Sequence, residues 1–358
     1  MRVNSYWLVL VILLAPSLTK AQGQKLEVVK ITDGVYAALV SEPRFDPVES
    51  NAVILINNDS VLVVDANRTP AAARATIAEI RKLTDKPVRY VVNTHWHDDH
   101  IFGNQSYLEA FPQVEFIAHQ NTREDMKTLA FPHIQRGIER WTKVLADAEN
   151  QSAKGVKPNG EAMSAQEKAE LRAQLEVYRE FLPKIKTIKL TLPTMTFDKR
   201  LTLHQGTRTI EILYFGNGNT RGDVVVYLPQ EKVLIIGDLL VHPVPYAYGS
   251  FIKDWVGTMK RVREIDAQVI IPGHGPVLRD KEYMNIVIAL LESVTKQVED
   301  AVKRGLSLEE TRKAVNLESF RLRLAGTDAV RNDTFNTSIL QSAINQAYKQ
   351  AKAEAGSK

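Results

Sequence analysis

The sequence predicts an α/β protein with two stacked β-sheets flanked by helices, a helical insertion and a helical C-terminal extension. Strands come in two runs, one before residue 120 and one after about Met195, and each run leads into helices. Between the runs, residues 121–186 change to long, charged segments with helical spacing. The chain of 358 residues, 44% hydrophobic and 25% charged, is long enough to bury a large core.

The opening stretch is set apart from that fold. Arg2, an apolar run from Trp7 to Leu14 and a small-residue end at Ala21 have the layout of a secretory leader, with residues 1–21 removed on export. The run is too short to span a bilayer comfortably, which takes roughly 20 residues. A periplasmic or secreted protein with no stable membrane anchor is therefore expected. There is no cysteine, so disulfides, thiolate ligands, a lipoprotein anchor and a cysteine nucleophile are excluded. A net charge of +4 set against 46 basic and 42 acidic residues gives no argument for nucleic acid.

After the leader, LEVVKITDGVYAALV reads as two strands joined at Asp33-Gly34, and NAVILINNDSVLVVDA as two more joined at Asn57-Asn58-Asp59. Thr69 as N-cap and Pro70 at the first helical position open a helix to about Leu83. KPVRYVVNT is a buried strand that runs into a histidine cluster, followed by a short helix over 104–110 and the strand VEFIA. In the insertion, Ser164 and Glu167 form a capping box, Leu171, Leu175, Tyr178 and Leu182 mark one helix face, and Pro183 is expected to end that helix. Its two helices form a hairpin about a polar linker near 154–160, either a roof over the active site or a dimer surface. Five strand patterns follow, then a helix from about Trp255 to Ile265 and the strand QVIIPGHG. Beyond Asp280 the sequence is helical, with a capping box at Ser307 and Glu310 and an apolar stripe of Phe335, Ile339, Ile344 and Tyr348.

The chemistry concentrates in NTHWHDDH, residues 93–100. His95, His97, Asp99 and His100 crowd behind a buried strand, and imidazole with carboxylate is the ligand mixture zinc prefers. Alternation along an extended segment points His95 and His97 to the same side.

This HxHxDH pattern, followed by GD and GH turns, resembles the metallo-β-lactamase superfamily from about Leu26 to Leu278. The resemblance implies an αββα sandwich with a metal site at one edge between the sheets. It divides the chain into a leader (1–21), a catalytic domain (22–280) carrying the insertion (121–186), and the C-terminal extension (281–358). It further implies that His95 and His97 hold a first zinc, that Asp99 and His100 hold a second, that Asp238 in LIIGDLL bridges the two, and that His274 in IPGHGPV completes the second site. Asp65 matches the aspartate that orients a ligand imidazole. Where the family has the histidine of a GHTxGD turn, this sequence has Asn219, so the second site is expected to be the tighter. One zinc in the second site, two with Asn219 or a water completing the first, and substitution by His119 or His242 all remain open.

The implied reaction is hydrolysis by zinc-bound hydroxide, available near neutral pH, with Asp99 orienting the nucleophile. A β-lactam is the first expected substrate, with a lactone, thioester or other ester next and a non-catalytic metal-binding relative as the alternative class. The stretch after Asp238 has no lysine before Lys253 to grip a carboxylate, which turns attention to Arg221. The loop carrying His242, Tyr246 and Tyr248 is the expected pocket wall for a small-molecule substrate. A homodimer through the insertion or the C-terminal helices is the expected assembly.

Overall fold

The computed structural model describes residues 26–40, 49–157 and 159–356; the expected leader lies outside them. Among these residues no helix is long and apolar enough to cross a membrane. The chain divides into two compact units, one formed by Gly137–Pro183 and the other by the described residues on either side of that segment.

In the larger unit, strands β1 (Leu26–Thr32), β2 (Val35–Val40), β3 (Ala52–Ile56) and β4 (Val61–Val64) lead to α1 (Pro70–Leu83) and β5 (Val88–Val92). Thr69 caps α1 through the Ala72 N–H, with Pro70 just inside the start, as the sequence predicts. Next come α2 (Asp98–Ile101), α3 (Asn104–Ala110), β6 (Glu115–His119), α4 (Gln120–Asp125) and a π-helical turn (Met126–Ala130). This turn runs into α5 (Phe131–Lys154), which is followed by α6 (Ala165–Ile185). Within the smaller unit the Trp141 ring sits 4.8 Å from Tyr178 and 5.7 Å from Phe181, holding α5 to α6. Pro183 does not end α6, which runs on to Ile185. A proline this close to the C-terminus forfeits a single backbone bond, and the last turn absorbs it.

The chain then forms β7 (Met195–Phe197), β8 (Arg200–Gln205), β9 (Arg208–Tyr214), β10 (Val224–Leu228) and β11 (Val233–Val241). After α7 (Ile252–Arg263) and β12 (Val269–His274) it becomes helical: α8 (Glu282–Lys303), α9 (Leu308–Ala314), α10 (Glu318–Leu324) and α11 (Ala329–Thr334). A π-helical stretch (Phe335–Ala343) leads into α12 (Ile344–Gly356). The capping box of Ser307 and Glu310 is present at the start of α9.

Seven strands form one sheet in the order β1-β2-β3-β4-β5-β6-β7, and five form the other in the order β12-β11-β10-β9-β8. Both are mixed. The pairs β4–β5, β5–β6, β6–β7 and β11–β12 are parallel and the rest antiparallel.

Alternation along the strands builds the layers. Val53, Leu55, Leu62, Val64 and Val92 face Ile212, Val224, Val226 and Ile235 of the other sheet. Their neighbours Ile54, Val61, Val63 and Val91 turn outward onto Ala73, Ile77 and Ile80 of α1 and Tyr107 of α3. On the far side, Val225, Leu234 and Ile236 pack under Trp255 and Met259 of α7, Val287 and Leu291 of α8, and Phe335 and Ile344. Strands buried on both faces explain why their sequences read as continuous apolar runs. The result is the four-layer αββα sandwich, with the C-terminal helices covering the second sheet.

Candidate metal centre

The centre forms where β4, β5 and β12 end, beside the later part of β11. Beyond Val92 of β5 the chain leaves the sheet, and Thr94, His95, His97, Asp99 and His100 turn into the gap between the sheets. Strand β11 continues past Asp238 to Val241, so the expected turn at this aspartate is a bulge inside the strand. Gly237 takes φ 55° there and breaks the register with β12. A Cβ at Gly237 would lie 2.7 Å from Thr94 Oγ1, so only glycine lets the bulge seat against the histidine loop.

Two groups of ligand atoms converge, each within 4.8 Å: His95, His97 and Asp238 in one, and Asp99, His100 and His274 in the other. Asp238 lies between them. Its Oδ1 is 3.3 Å from His100 Nε2 and 3.4 Å from His274 Nε2, and its Oδ2 is 3.7 Å from His95 Nε2. Asp99 Oδ2 is 3.0 Å from His274 Nε2. The Nε2 atoms of His95, His100 and His274 and Oδ1 of Asp238 are buried with no hydrogen-bond partner. Orphaned buried polar atoms are costly, and lone pairs converging on one point fit a divalent cation.

The electrostatics agree with that fit. Burial works to raise the Asp238 and Asp99 carboxyls, but His100 and His274 outweigh it and hold both below the usual range. Both are therefore anions at neutral pH. Burial drives His95 and His97 downward, with His100 adding to the fall, so both imidazoles are neutral and able to ligate. His100 goes the other way. Burial lowers it, but Asp238, Asp99 and Asp65 together raise it, which leaves a proton for a metal to displace.

Asp65 sets the ring orientations. Its Oδ2 accepts from His100 Nδ1 and from the Thr94 hydroxyl, each at 2.8 Å, and its Oδ1 accepts from the Thr94 N–H at 2.8 Å. Because Thr94 gives its only hydroxyl proton to Asp65, its oxygen accepts from His95 Nδ1 at 3.0 Å. One carboxylate thus fixes a proton on Nδ1 of both rings and turns both Nε2 atoms toward the centre, where a metal would displace the second proton of His100. Thr94 is a part of this arrangement that motif reading passes over, since its contacts appear only once Asp65, 29 positions away, is beside it.

Further residues bolt the ligands in place. Ser50 Oγ donates to the Asp99 carbonyl at 2.6 Å. Asn51 Nδ2 donates to the carbonyls of Pro272 and Gly275, gripping the backbone on both sides of His274. Arg68 Nη2 reaches Asp98 Oδ1 at 3.2 Å and Asp99 Oδ1 at 4.0 Å, and Asp98 Oδ1 accepts the Asp99 N–H.

Asn219 is buried, with Oδ1 accepting from the Ser250 hydroxyl at 2.8 Å and Nδ2 without a hydrogen-bond partner. A hydroxyl can accept from an NH2 as readily as it donates to a carbonyl, so this contact does not fix which way the amide faces.

Neither spare histidine belongs to a ligand group. His119 donates from Nε2 to the Asp198 carbonyl, accepts the Asn121 N–H at Nδ1 and stacks on Tyr214 at 4.0 Å, which leaves no free nitrogen. His242 lies edge-on to Tyr283 at 4.6 Å and lines a cleft next to His274. Arg221 grips the buried Asp125 carboxylate through a fork of three contacts at 2.7–3.0 Å, so its charge is already spent inside the protein. Tyr246 lines the cleft with its ring 5.3 Å from His274, while Tyr248 is exposed and bonds Thr337 at 3.0 Å.

A sandwich of this kind with its histidine and aspartate ligands at the strand ends defines a protein class. Residues 45–274 match the metallo-beta-lactamase superfamily, and the chain belongs to it. It is 24% identical over 302 residues to a linear primary-alkylsulfatase of Pseudomonas sp. (strain ATCC 19151), an alignment covering 81% of this chain and 53% of that protein. The chain thus spans about half the length of that relative. It is 24% identical over 238 residues to the metallo-beta-lactamase type 2 of Bacillus cereus, covering 65% of this chain and 69% of that protein. The structure of a metallo-beta-lactamase from Pontibacter korlensis superposes with a TM-score of 0.51 at 19% identity, over 75% of this chain and 99% of that one. At that identity the likeness is one of fold.

Proposed function

We propose that the protein is an exported zinc hydrolase acting on sulfate esters that carry an apolar chain. The observation that carries the hydrolase reading is the pair of ligand groups meeting at Asp238, with four buried polar atoms left for a cation. The likeness to the alkylsulfatase supports the substrate class. It extends over 81% of the chain, beyond the segment shared with the lactamases. The apolar side chains Val40, Pro243, Val244 and Val330 beside His274 suit a hydrocarbon tail.

His95, His97 and Asp238 would hold one ion and Asp99, His100, His274 and Asp238 the other. A zinc ion there supplies Lewis acidity and lowers the pKa of bound water to about 7. The protein's own part is placement. Asp99, kept ionised and fixed through Ser50 and Arg68, accepts a hydrogen bond from the attacking water and orients it. Asp65 and Thr94 keep the imidazole Nε2 atoms aimed at the centre, and Tyr246 lies beside His274 in the adjoining cleft.

β-Lactam hydrolysis is the second reading, favoured by the share of the Bacillus cereus enzyme that the chain spans. Zinc-loaded protein offered hexyl sulfate, a chromogenic cephalosporin and 4-nitrophenyl acetate is expected to turn over hexyl sulfate fastest. Asp99→Asn is expected to lower that rate by at least about a hundredfold, in the range for a positioned acid–base group. A faster cephalosporin rate, or an Asp99→Asn variant of undiminished rate, contradicts the reading.

A further inference from the structure

His95, His100 and His274 all turn Nε2 toward the centre, but they are aimed in different ways. Asp65 accepts the Nδ1–H of His100 and the Thr94 hydroxyl accepts that of His95, so both rings are held from behind. For His274 the polar contacts of the ring run only from Nε2, to Asp99 and Asp238. Among the described residues no hydrogen bond reaches its Nδ1. A ligand ring without a partner behind it takes its aim from its own backbone, so whatever fixes residues 272–275 fixes this ligand.

The second sheet does not fix that backbone by itself. β12 is the last strand in the sheet, with β11 as its one neighbour. The ladder between them is broken at this point: Pro272 lies opposite Gly237 and His274 opposite Val241, so four steps of β11 stand against two of β12. Pro272 has no N–H to give. An edge strand interrupted in this way leaves carbonyls open. One residue of the first sheet's side takes three of them. Asn51 Nδ2 donates to the Pro272 carbonyl at 3.0 Å and to the Gly275 carbonyl at 2.9 Å, and the Asn51 N–H donates to the Gly273 carbonyl at 2.8 Å. Asn51 Oδ1 accepts the Val40 N–H at 3.0 Å, which anchors the amide to the end of β2. Two acceptors at one end and a donor at the other allow this amide a single orientation, unlike that of Asn219. Asn51 is buried, so water does not compete for these bonds.

We infer that Asn51 is the positioning residue of His274, setting through the backbone what Asp65 sets through the ring for His100. The inference rests on the metal-binding reading of the centre and is independent of the substrate. It makes the contact between the sheets at this edge a part of the site: a residue at the start of β3, anchored on β2, holds in place a ligand that belongs to the other sheet.

The test measures stepwise zinc affinity, by competition with a chromophoric chelator, in wild type and in variants at Asn51 and His274. Asn51→Asp keeps the shape and the acceptor for Val40 but loses both Nδ2 donors; Asn51→Ala loses them without adding a charge. Each is expected to weaken, by at least about tenfold, the same stepwise affinity that His274→Ala lowers, the lower end of the usual cost of losing a partner behind a ligand. In the His274→Ala background the same substitutions are expected to change affinity by less than about twofold, because a residue that acts through His274 has nothing left to place. Equal losses of affinity in both backgrounds, or a lowered melting temperature with affinity unchanged, are the marks of a merely structural residue and overturn the inference. Failure of both variants to fold, seen by far-ultraviolet dichroism, overturns it in the same sense. Wild type that binds no zinc would sink the metal centre and this inference with it, whereas zinc bound equally by wild type and both variants sinks the inference alone.

Discussion

Replacing Gly273 with alanine is expected to cut turnover severely and to strip metal from the protein while leaving the sandwich folded. A Cβ at this position would sit 2.0 Å from Asp238 Oδ1 and 2.9 Å from the Gly237 carbonyl carbon. Neither neighbour can yield cheaply. The Gly237 backbone is locked in the bulge against Thr94, and Asp238 is the carboxylate that lies between the two ligand groups. The added methyl must push Asp238 from the centre, and loss of this carboxylate is expected to cost on the order of a thousandfold in rate, as removal of a principal stabilising group does elsewhere. Metal content by plasma emission and far-ultraviolet dichroism check the two halves of the expectation. A Gly273→Ala protein with full metal content and normal turnover would show that Asp238 is not held as described.

Asp65→Asn is expected to weaken zinc binding by about 10–100-fold without unfolding the protein, the usual cost of removing a partner behind a ligand. Asp65 has φ 63°, a conformation that costs a side chain roughly 1–2 kcal/mol. Hydrogen bonds to a charged group contribute about 1.5–3 kcal/mol each, and Asp65 accepts three, so the contacts outweigh the strain. Asparagine tolerates the same backbone, which isolates the loss of charge. The amide keeps an acceptor for one face only, and its NH2 opposes either the Thr94 N–H, or the Nδ1–H of His100 together with the Thr94 hydroxyl. Competition against a chromophoric chelator measures the affinity. Undiminished affinity would remove Asp65 from the orienting role.

Much of this centre is legible in the order of residues. NTHWHDDH follows an apolar strand, the aspartate of LIIGDLL lies late in one and the histidine of IPGHGPV closes one, so the two sheets carry them to one edge. The final apolar stripe even records its irregular helix: Phe335 to Ile339 and Ile344 to Tyr348 are four apart, but Ile339 to Ile344 are five apart, the spacing of a π-turn. Contacts between distant segments leave no such trace. Nothing near Arg221 indicates that Asp125 will occupy it, and nothing near Asn51 shows that its amide will clamp the backbone around His274. Thr94 looks like a linker between two better-known letters.

The central claim is that catalysis requires metal held by the groups meeting at Asp238. Its most direct test is the rate of hydrolysis of the best substrate by residues 22–358, first after exhaustive chelation and then during stepwise return of zinc. No turnover in the chelated protein, with recovery that saturates at no more than about two equivalents, is the predicted result; a two-metal hydrolytic site has that ceiling. Full turnover after complete removal of metal would contradict it.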